Sequence, residues 1–266
     1  MQNMRKMQWK WIRDMLKETS YFNIFVGILI FGPFIMGMVY QPEPVTLYLI
    51  GDSTMSDKEV KAYPETGWGM PLKHYFDEGV VVENHARNGR STRSFLEEGR
   101  WQPIVDQLSG GDYVFIQFGH NDEVQSKEQS TTPEEFQANL AKYVKETRSH
   151  GGQPVLLTPI ARRHFDDNGK LIDTHQKYSE LMREVAREHE VPLIDMDHKS
   201  QQLLENLGPE KSIFLYLHLK PGQNPNYPGG VEDNTHFSEL GARMMAELAL
   251  KGIKELNLDL ASHIPK

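Results

Sequence analysis

Val45-Thr46-Leu47-Tyr48-Leu49-Ile50-Gly51-Asp52-Ser53-Thr54 decides how this chain folds. Its first six residues are apolar, aromatic or β-branched, with no polar alternation. An unbroken run of that kind is a strand covered on both faces, as in the interior of a parallel sheet. It stops at a glycine, an acid and a hydroxyl. Open parallel sheets place their chemistry at the C-terminal tips of the strands. Asp52 and Ser53 alone would equally suit the cap of a following helix, so the rest of the chain has to decide.

Four further runs have the same character: Val80–Asn84, Tyr113–Phe118, Pro154–Thr158 and Val191–Asp195. Helical patterns lie between them. Trp68–Phe76 is short, and Thr92–Leu108 is broken at Pro103. Pro133–His150 opens with Thr132, Pro133 and Glu135, the residues of a capping box with proline in the first turn. Asp173–His189 and Glu239–Leu256 are longer. Strands alternating with helices of this length are βαβ units, so the class is α/β with a parallel sheet. The longest irregular stretch is Gly208–Thr235, and a loop of that length in a domain is expected to be functional.

The chain has no cysteine, which excludes a cysteine nucleophile, a thiolate metal site and a disulfide framework. The net charge of −8 is uneven: the first twenty residues sum to +3, residues 21–40 carry none, and the remainder holds −11. An acidic body lacks the basic footprint that sequence-independent nucleic-acid binding needs. The basic stretch followed by uncharged Tyr21–Tyr40 reads as an export signal or a membrane anchor over residues 1–40. Any membrane contact would run through residues 21–40, and the body would be periplasmic, secreted or anchored outside the cytoplasm. Residues 41–44 (Gln-Pro-Glu-Pro) read as a linker, and residues 45–260 as one domain.

Four segments fall at strand ends or before the last helix: Ser53, Asn84–Ser91, Gly119–Asp122 and Asp233–Ser238. Acyl transfer uses parts of this kind. A serine hydroxyl is a weak nucleophile and needs a base to take its proton. His236 is the candidate base. Asp233, three residues earlier, is the candidate acid that fixes the imidazole tautomer across one turn. The tetrahedral oxyanion needs preorganised donors, and the Ser53 N–H, Gly89 N–H and Asn121 side-chain amide are candidates. Each of these residues alone has an ordinary structural explanation. The four segments together, in this order, do not. The eleven histidines show no convincing zinc spacing, and acyl transfer by these groups requires no metal or organic cofactor.

Gly51-Asp52-Ser53, Gly89, Gly119-His120-Asn121-Asp122 and Asp233-Asn234-Thr235-His236 together resemble the blocks of the SGNH (GDSL-type) hydrolases. The resemblance spans roughly residues 45–256. It implies a flavodoxin-like three-layer α/β/α sandwich around a five-stranded parallel sheet, with Ser53, Asp233 and His236 as catalytic residues. Within that superfamily the chain is most similar to rhamnogalacturonan acetylesterases, through Thr54-Met55, Gly67-Trp68-Gly69, Asn88–Thr92 and Gln117–Asp122. The reaction this implies is removal of O-acetyl groups from acetylated rhamnogalacturonan through an acetyl-serine intermediate. Acetylated xylan or another glycan is the alternative substrate, and a non-catalytic glycan-binding protein is a further alternative. A polyanionic partner needs local positive charge, for which Arg87, Arg90, Arg93, Arg162, Arg163 and Lys220 are candidates. Tyr227, Trp68 and Tyr216 are candidate faces for sugar rings. His120 is a candidate contact beside Asn121, although a structural histidine, hydrogen-bonded at the strand end, is the plainer account.

Overall fold

A computed structural model describes residues 43–265. The export or anchor segment expected over residues 1–40 lies outside them. No helix among the described residues is long and apolar enough to cross a membrane. In chain order the elements are β1 (Val45–Gly51), α1 (Gly69–Leu72), β2 (Val80–Asn84), α2 (Thr92–Glu97), α3 (Gln102–Val105), β3 (Tyr113–Gln117), α4 (Pro133–Ser149), β4 (Gln153–Leu157), α5 (Gln176–Glu188), β5 (Leu193–Ile194), α6 (Met196–Ser212), β6 (Tyr216–Leu219), β7 (Val231–Phe237) and α7 (Glu239–Glu255), with single 3-10 turns between some of them.

The first five strands form one parallel sheet in the order β2-β1-β3-β4-β5. β1 is interior, with β2 and β3 on either side, which is why its sequence shows no polar face. Leu47 and Leu49 point to one side, where they pack with Trp68, Leu72, Leu204, Met245, Ala249 and Ile253 from α1, α6, α7 and the turn before α1. Tyr48 and Ile50 point to the other, against Phe95, Ile104, Phe136, Leu140, Tyr143, Met182 and Val185 from α2 to α5. Helices on both faces make the α/β/α sandwich that the sequence resemblance implies.

The α4 start is as the sequence reads it. Thr132 Oγ1 accepts from the Glu135 N–H at 3.2 Å, and the Thr132 N–H donates to Glu135 Oε2 at 2.8 Å. Two stretches differ. The strand expected over Val191–Asp195 keeps only Leu193–Ile194. Pro192 has no N–H to donate, and Asp195 turns to cap α6, accepting from the His198 N–H. The irregular region expected over Gly208–Thr235 is mostly ordered. It contains the end of α6, kinked at Gly208, and the antiparallel hairpin β6–β7. Only the hairpin tip, residues 220–230, remains loop. Asparagine 226 and Tyr227 fasten that tip: Asn226 Nδ2 and Tyr227 Oη donate to carbonyls of Val60, Tyr63 and Ala62.

Candidate active site

Ser53 follows the tip of β1 in a tight turn. Asp52, buried beneath it, accepts from the Thr54 N–H at 2.9 Å and from Thr54 Oγ1 at 2.8 Å, which fixes the turn. Burial raises the Asp52 carboxyl above the usual range, against the pull of the Thr54 bonds. The Trp68 and Gly69 N–H groups donate to the Thr54 and Met55 carbonyls. At Gly67 a Cβ would come within 2.0 Å of the Ser56 carbonyl oxygen, so this glycine lets the two segments touch. Trp68 itself is core, its indole N–H donating to Gln117 Oε1.

Two residues that the sequence separates by 183 positions meet here. His236 Nε2 lies 2.8 Å from Ser53 Oγ. His236 Nδ1 lies 2.7 Å from Asp233 Oδ2. The pair sits on β7, not on a helical turn. Tyr216 pairs with Phe237, but Leu217 pairs with Asp233, so Asn234, Thr235 and His236 loop out of the ladder as a bulge. Asp233 Oδ1 closes that loop by accepting from the Thr235 N–H at 2.7 Å and the His236 N–H at 2.9 Å. Burial works to raise the Asp233 carboxyl. The hydrogen bond and charge of His236 and the two amide donors outweigh it and bring the pKa down to about 2. The carboxylate is therefore ionised whenever the imidazole needs it.

The three candidate donors each keep a hydrogen to give. The Ser53 and Gly89 N–H groups have no hydrogen-bond partner among the described residues. Gly89 has φ +77 with open space where a Cβ would stand, so glycine is required by backbone conformation rather than by crowding. Asn121 Nδ2 donates one hydrogen to the Arg90 carbonyl at 3.0 Å, leaving the second free. Asn121 Oδ1 accepts from Lys127 Nζ at 2.9 Å, which fixes which end of the amide is the donor. The next residue, Asp122, accepts from Thr92 and Thr131. Burial pushes its carboxyl up to about 7, against the pull of those bonds.

Several residues read as substrate contacts are engaged otherwise. Arg163 Nη1 donates to Asn234 Oδ1 at 3.0 Å and Nε to Ser212 Oγ at 3.2 Å, so it braces the bulge. Arg162 pairs with Glu123, whose other oxygen meets His175 Nδ1 at 2.8 Å. Arg90 forks onto Glu98 and donates to the Asn88 carbonyl. His120 is buried with its ring 4.3 Å from that of His175, and burial holds its pKa well below the usual value. Neither of its ring nitrogens has a hydrogen-bond partner among the described residues, so the hydrogen-bonded structural histidine expected at the strand end is not what the fold shows. Tyr216 is core, its hydroxyl on the Ala161 carbonyl. The Tyr227 hydroxyl is held by loop backbone, which leaves only its half-buried ring to offer. Lys220 stands exposed at the start of the hairpin tip.

Lys58 and Lys127 escaped the sequence reading, because neither lies in a spacing that marks chemistry. Lys58 is nearly sealed from solvent, and its ammonium reaches the Ser53 carbonyl oxygen at 2.6 Å. A cavity of about 560 Å3 lies against Lys58 and α1, and neither Ser53 nor His236 lines it, so cavity size is no guide to the chemistry. Among the described residues no group of three or more histidines and carboxylates is placed to hold a metal ion.

Residues 49–244 match the GDSL-like lipase/acylhydrolase family. The rhamnogalacturonan acetylesterase RhgT of Bacillus subtilis (strain 168) is 45% identical over 223 residues, 84% of this chain and 95% of that protein. The probable rhamnogalacturonan acetylesterase YesY of the same organism is 38% identical, over 83% of this chain and 97% of the relative. The crystal structure of protein YXIM of Bacillus subtilis superposes with a TM-score of 0.71 at 27% identity, covering 82% of this chain and 59% of that one. A hydroxyl, imidazole and carboxylate in one hydrogen-bonded line, on this sandwich and with this similarity, mark the chain as a carboxylic ester hydrolase that belongs to the GDSL-like lipase/acylhydrolase family and is similar to the rhamnogalacturonan acetylesterases.

Proposed function

We propose that this chain removes O-acetyl groups from acetylated rhamnogalacturonan, by way of an acetyl-Ser53 intermediate. The observation that carries the reaction type is the line Ser53 Oγ, His236 Nε2, His236 Nδ1, Asp233 Oδ2, with contacts of 2.8 and 2.7 Å. In the first step His236 Nε2 takes the Ser53 proton as Oγ attacks the acetyl carbonyl carbon. The oxyanion accepts from the Ser53 N–H, the Gly89 N–H and the free Asn121 Nδ2 hydrogen. Asp233 holds the imidazole tautomer and stabilises the imidazolium. The tetrahedral species then breaks its bond to the sugar oxygen, which leaves with the proton from His236. A water molecule, deprotonated by the same ring, attacks the acetyl-serine. Acetate departs and Ser53 recovers its proton.

The glycan is inferred from similarity to RhgT, over 84% of this chain. A groove of about 250 Å3 is lined by Asp57, Glu59, Lys61, Ala62, Arg87, Asn88 and Arg90; Lys61 is paired with Glu59 and Arg90 with Glu98, which leaves Arg87 as the cation there that an acidic polymer could meet. Lys127 meets a neutral amide oxygen rather than a carboxylate, so its charge is available to a uronate as well. The basic and apolar segment over residues 1–40 supports action outside the cytoplasm, where such polymers are met.

Acetate release from acetylated rhamnogalacturonan and from acetylated xylan tests the reading. The rhamnogalacturonan is expected to be turned over at least about tenfold faster, a difference of about 1.4 kcal/mol in transition-state binding. Equal rates would overturn the substrate assignment. Ser53→Ala is expected to abolish release from both, and retained turnover would overturn the mechanism.

A further inference from the structure

Lys58 lies outside the line of groups that moves protons, yet it is bonded to the residue at the head of that line. Its side chain is 2% exposed. A lysine ammonium has three hydrogens, and here each has one strong acceptor: the Ser53 carbonyl oxygen at 2.6 Å, Glu65 Oε1 at 2.7 Å and Asn88 Oδ1 at 2.8 Å. Asn88 Oδ1 also accepts from Ser56 Oγ at 2.5 Å. Burying an ammonium is costly even when it is paired, and a pair of apolar residues often serves stability as well or better. Stability alone therefore gives a weak reason for a sealed Lys58–Glu65 pair at this point. Position gives a stronger one. Two of the three acceptors belong to the acyl-transfer site: the nucleophile's own carbonyl, and the residue immediately before Gly89. Fixing the Ser53 carbonyl fixes the serine backbone from which Oγ projects. Fixing the side chain of Asn88, a residue whose main-chain carbonyl accepts from Arg90 at 2.7 Å, fixes the turn that carries the Gly89 N–H.

We propose that Lys58 is a positioning residue of the esterase: one buried ammonium holds the nucleophile turn and the oxyanion-hole turn at a set separation. Glu65 balances its charge from the other side. The inference rests on Ser53 being the nucleophile, and the experiment separates the two. The distance between Oγ and the Gly89 amide has to match an attacked carbonyl, and small misplacements of reacting groups are expensive in rate. Ground-state binding of a small ester does not depend on that match, so the loss belongs in kcat rather than in KM.

Hydrolysis of 4-nitrophenyl acetate is the readout, with thermal unfolding measured in parallel. Lys58→Met is expected to lower kcat about 30-fold with KM within about twofold, the pattern of a lost transition-state alignment. It leaves Glu65 without its partner, so Lys58→Met/Glu65→Leu removes both charges. That double variant is expected to unfold near the wild-type temperature and still to show the kcat loss. Asn88→Ala alters a surface-exposed residue, keeps the fold, and cuts the Lys58 link to the oxyanion-hole turn together with the Ser56 Oγ bond to the same oxygen. It is expected to lower kcat about tenfold. After Asn88→Ala, Lys58→Met should cost less than it does in the wild type, because the two share the bond between them. A serine-directed phosphonate should label Ser53 more slowly by the same factor as kcat falls. The inference is overturned if the folded double variant, or Asn88→Ala, keeps kcat within about twofold of wild type. A dead Ser53→Ala enzyme beside an unaffected Lys58→Met/Glu65→Leu enzyme defeats this inference alone. An active Ser53→Ala enzyme defeats the nucleophile assignment beneath it.

Discussion

Arg163 grips Asn234 at two points: its backbone N–H donates to the Asn234 carbonyl at 2.9 Å, and its guanidinium donates to Asn234 Oδ1 at 3.0 Å. Asn234 is the first residue of the bulge that carries His236, and His218 Nε2 reaches the same side-chain oxygen at 2.9 Å. The stretch after β4 thus braces the part of β7 on which both Asp233 and His236 stand. An arginine that looks from sequence like a clamp for an acidic polymer is, in the fold, a clamp on the hairpin.

Arg163→Ala is accordingly expected to lower kcat on a small neutral acetate ester and on acetylated polymer by similar factors, about tenfold to a hundredfold. The lost bonds are charge-assisted ones of about 1.5–3 kcal/mol. Steady-state kinetics on the two substrates decide it. A loss confined to the polymer would restore Arg163 to substrate binding.

Asp233→Asn should leave the hairpin folded, because an amide oxygen still accepts from the Thr235 and His236 N–H groups. It should cut kcat by about 10³–10⁴, since the amide can present an N–H to Nδ1 and stabilise the wrong tautomer. The low Asp233 pKa of about 2 adds a condition. A carboxyl depressed in the fold stabilises above its unfolded value near 3.9, and the contribution goes as pH falls toward 2. The variant should therefore lose less stability than wild type between about pH 5 and pH 2. Urea unfolding across that range checks it, and parallel losses would contradict the coupling.

The sheet and the reactive line were legible because they rest on local chemistry. A short apolar run without alternation, Val45 to Ile50, rich in β-branched and aromatic residues and closed by Gly51, reads as an interior strand, and Thr132 with Glu135 writes a helix start in four residues. Asp233 and His236 were legible as a pair but not as a bulge, because three looped-out residues mimic the spacing of a helical turn. Helix α6 was hidden by a polar sequence and by Gly208-Pro209, which kinks it. The arginines misled for a different reason. Whether a cation faces solvent or a carboxylate depends on residues far away in sequence: Arg162 on Glu123, Arg163 on Asn234. Lys58 was invisible on the same ground, its acceptors being a backbone oxygen and residues from two other segments.

Lys127 supplies a prediction that separates positioning from charge. Its ammonium orients the Asn121 amide through Oδ1, and its side chain is exposed. Lys127→Met should lower kcat on a small ester about tenfold, one charge-assisted hydrogen bond to the amide being removed. On acetylated rhamnogalacturonan it should also raise KM, and added salt should raise the wild-type KM in the same direction. An unchanged kcat on the small ester would show that Asn121 is held well enough by the Arg90 carbonyl alone.

Asp122 ties the oxyanion-hole turn to the start of α2, taking the Thr92 N–H and the Thr92 and Thr131 hydroxyls while fully buried. Its folded pKa of about 7 lies above the unfolded value, near 3.9. The folded state therefore holds the proton more tightly. This group's contribution is complete below about pH 4 and is lost as pH rises to about 7, with a slope of up to about 1.4 kcal/mol per pH unit. Asp122→Asn keeps an acceptor for the threonines and cannot ionise. Relative to the variant, wild type should lose stability steadily from pH 5 to pH 7 and change little beyond pH 8. Urea unfolding of both proteins at unit intervals across that range is the measurement. A difference that stays flat would mean that Asp122 is already ionised at pH 5, held by its three donors against the cost of burial.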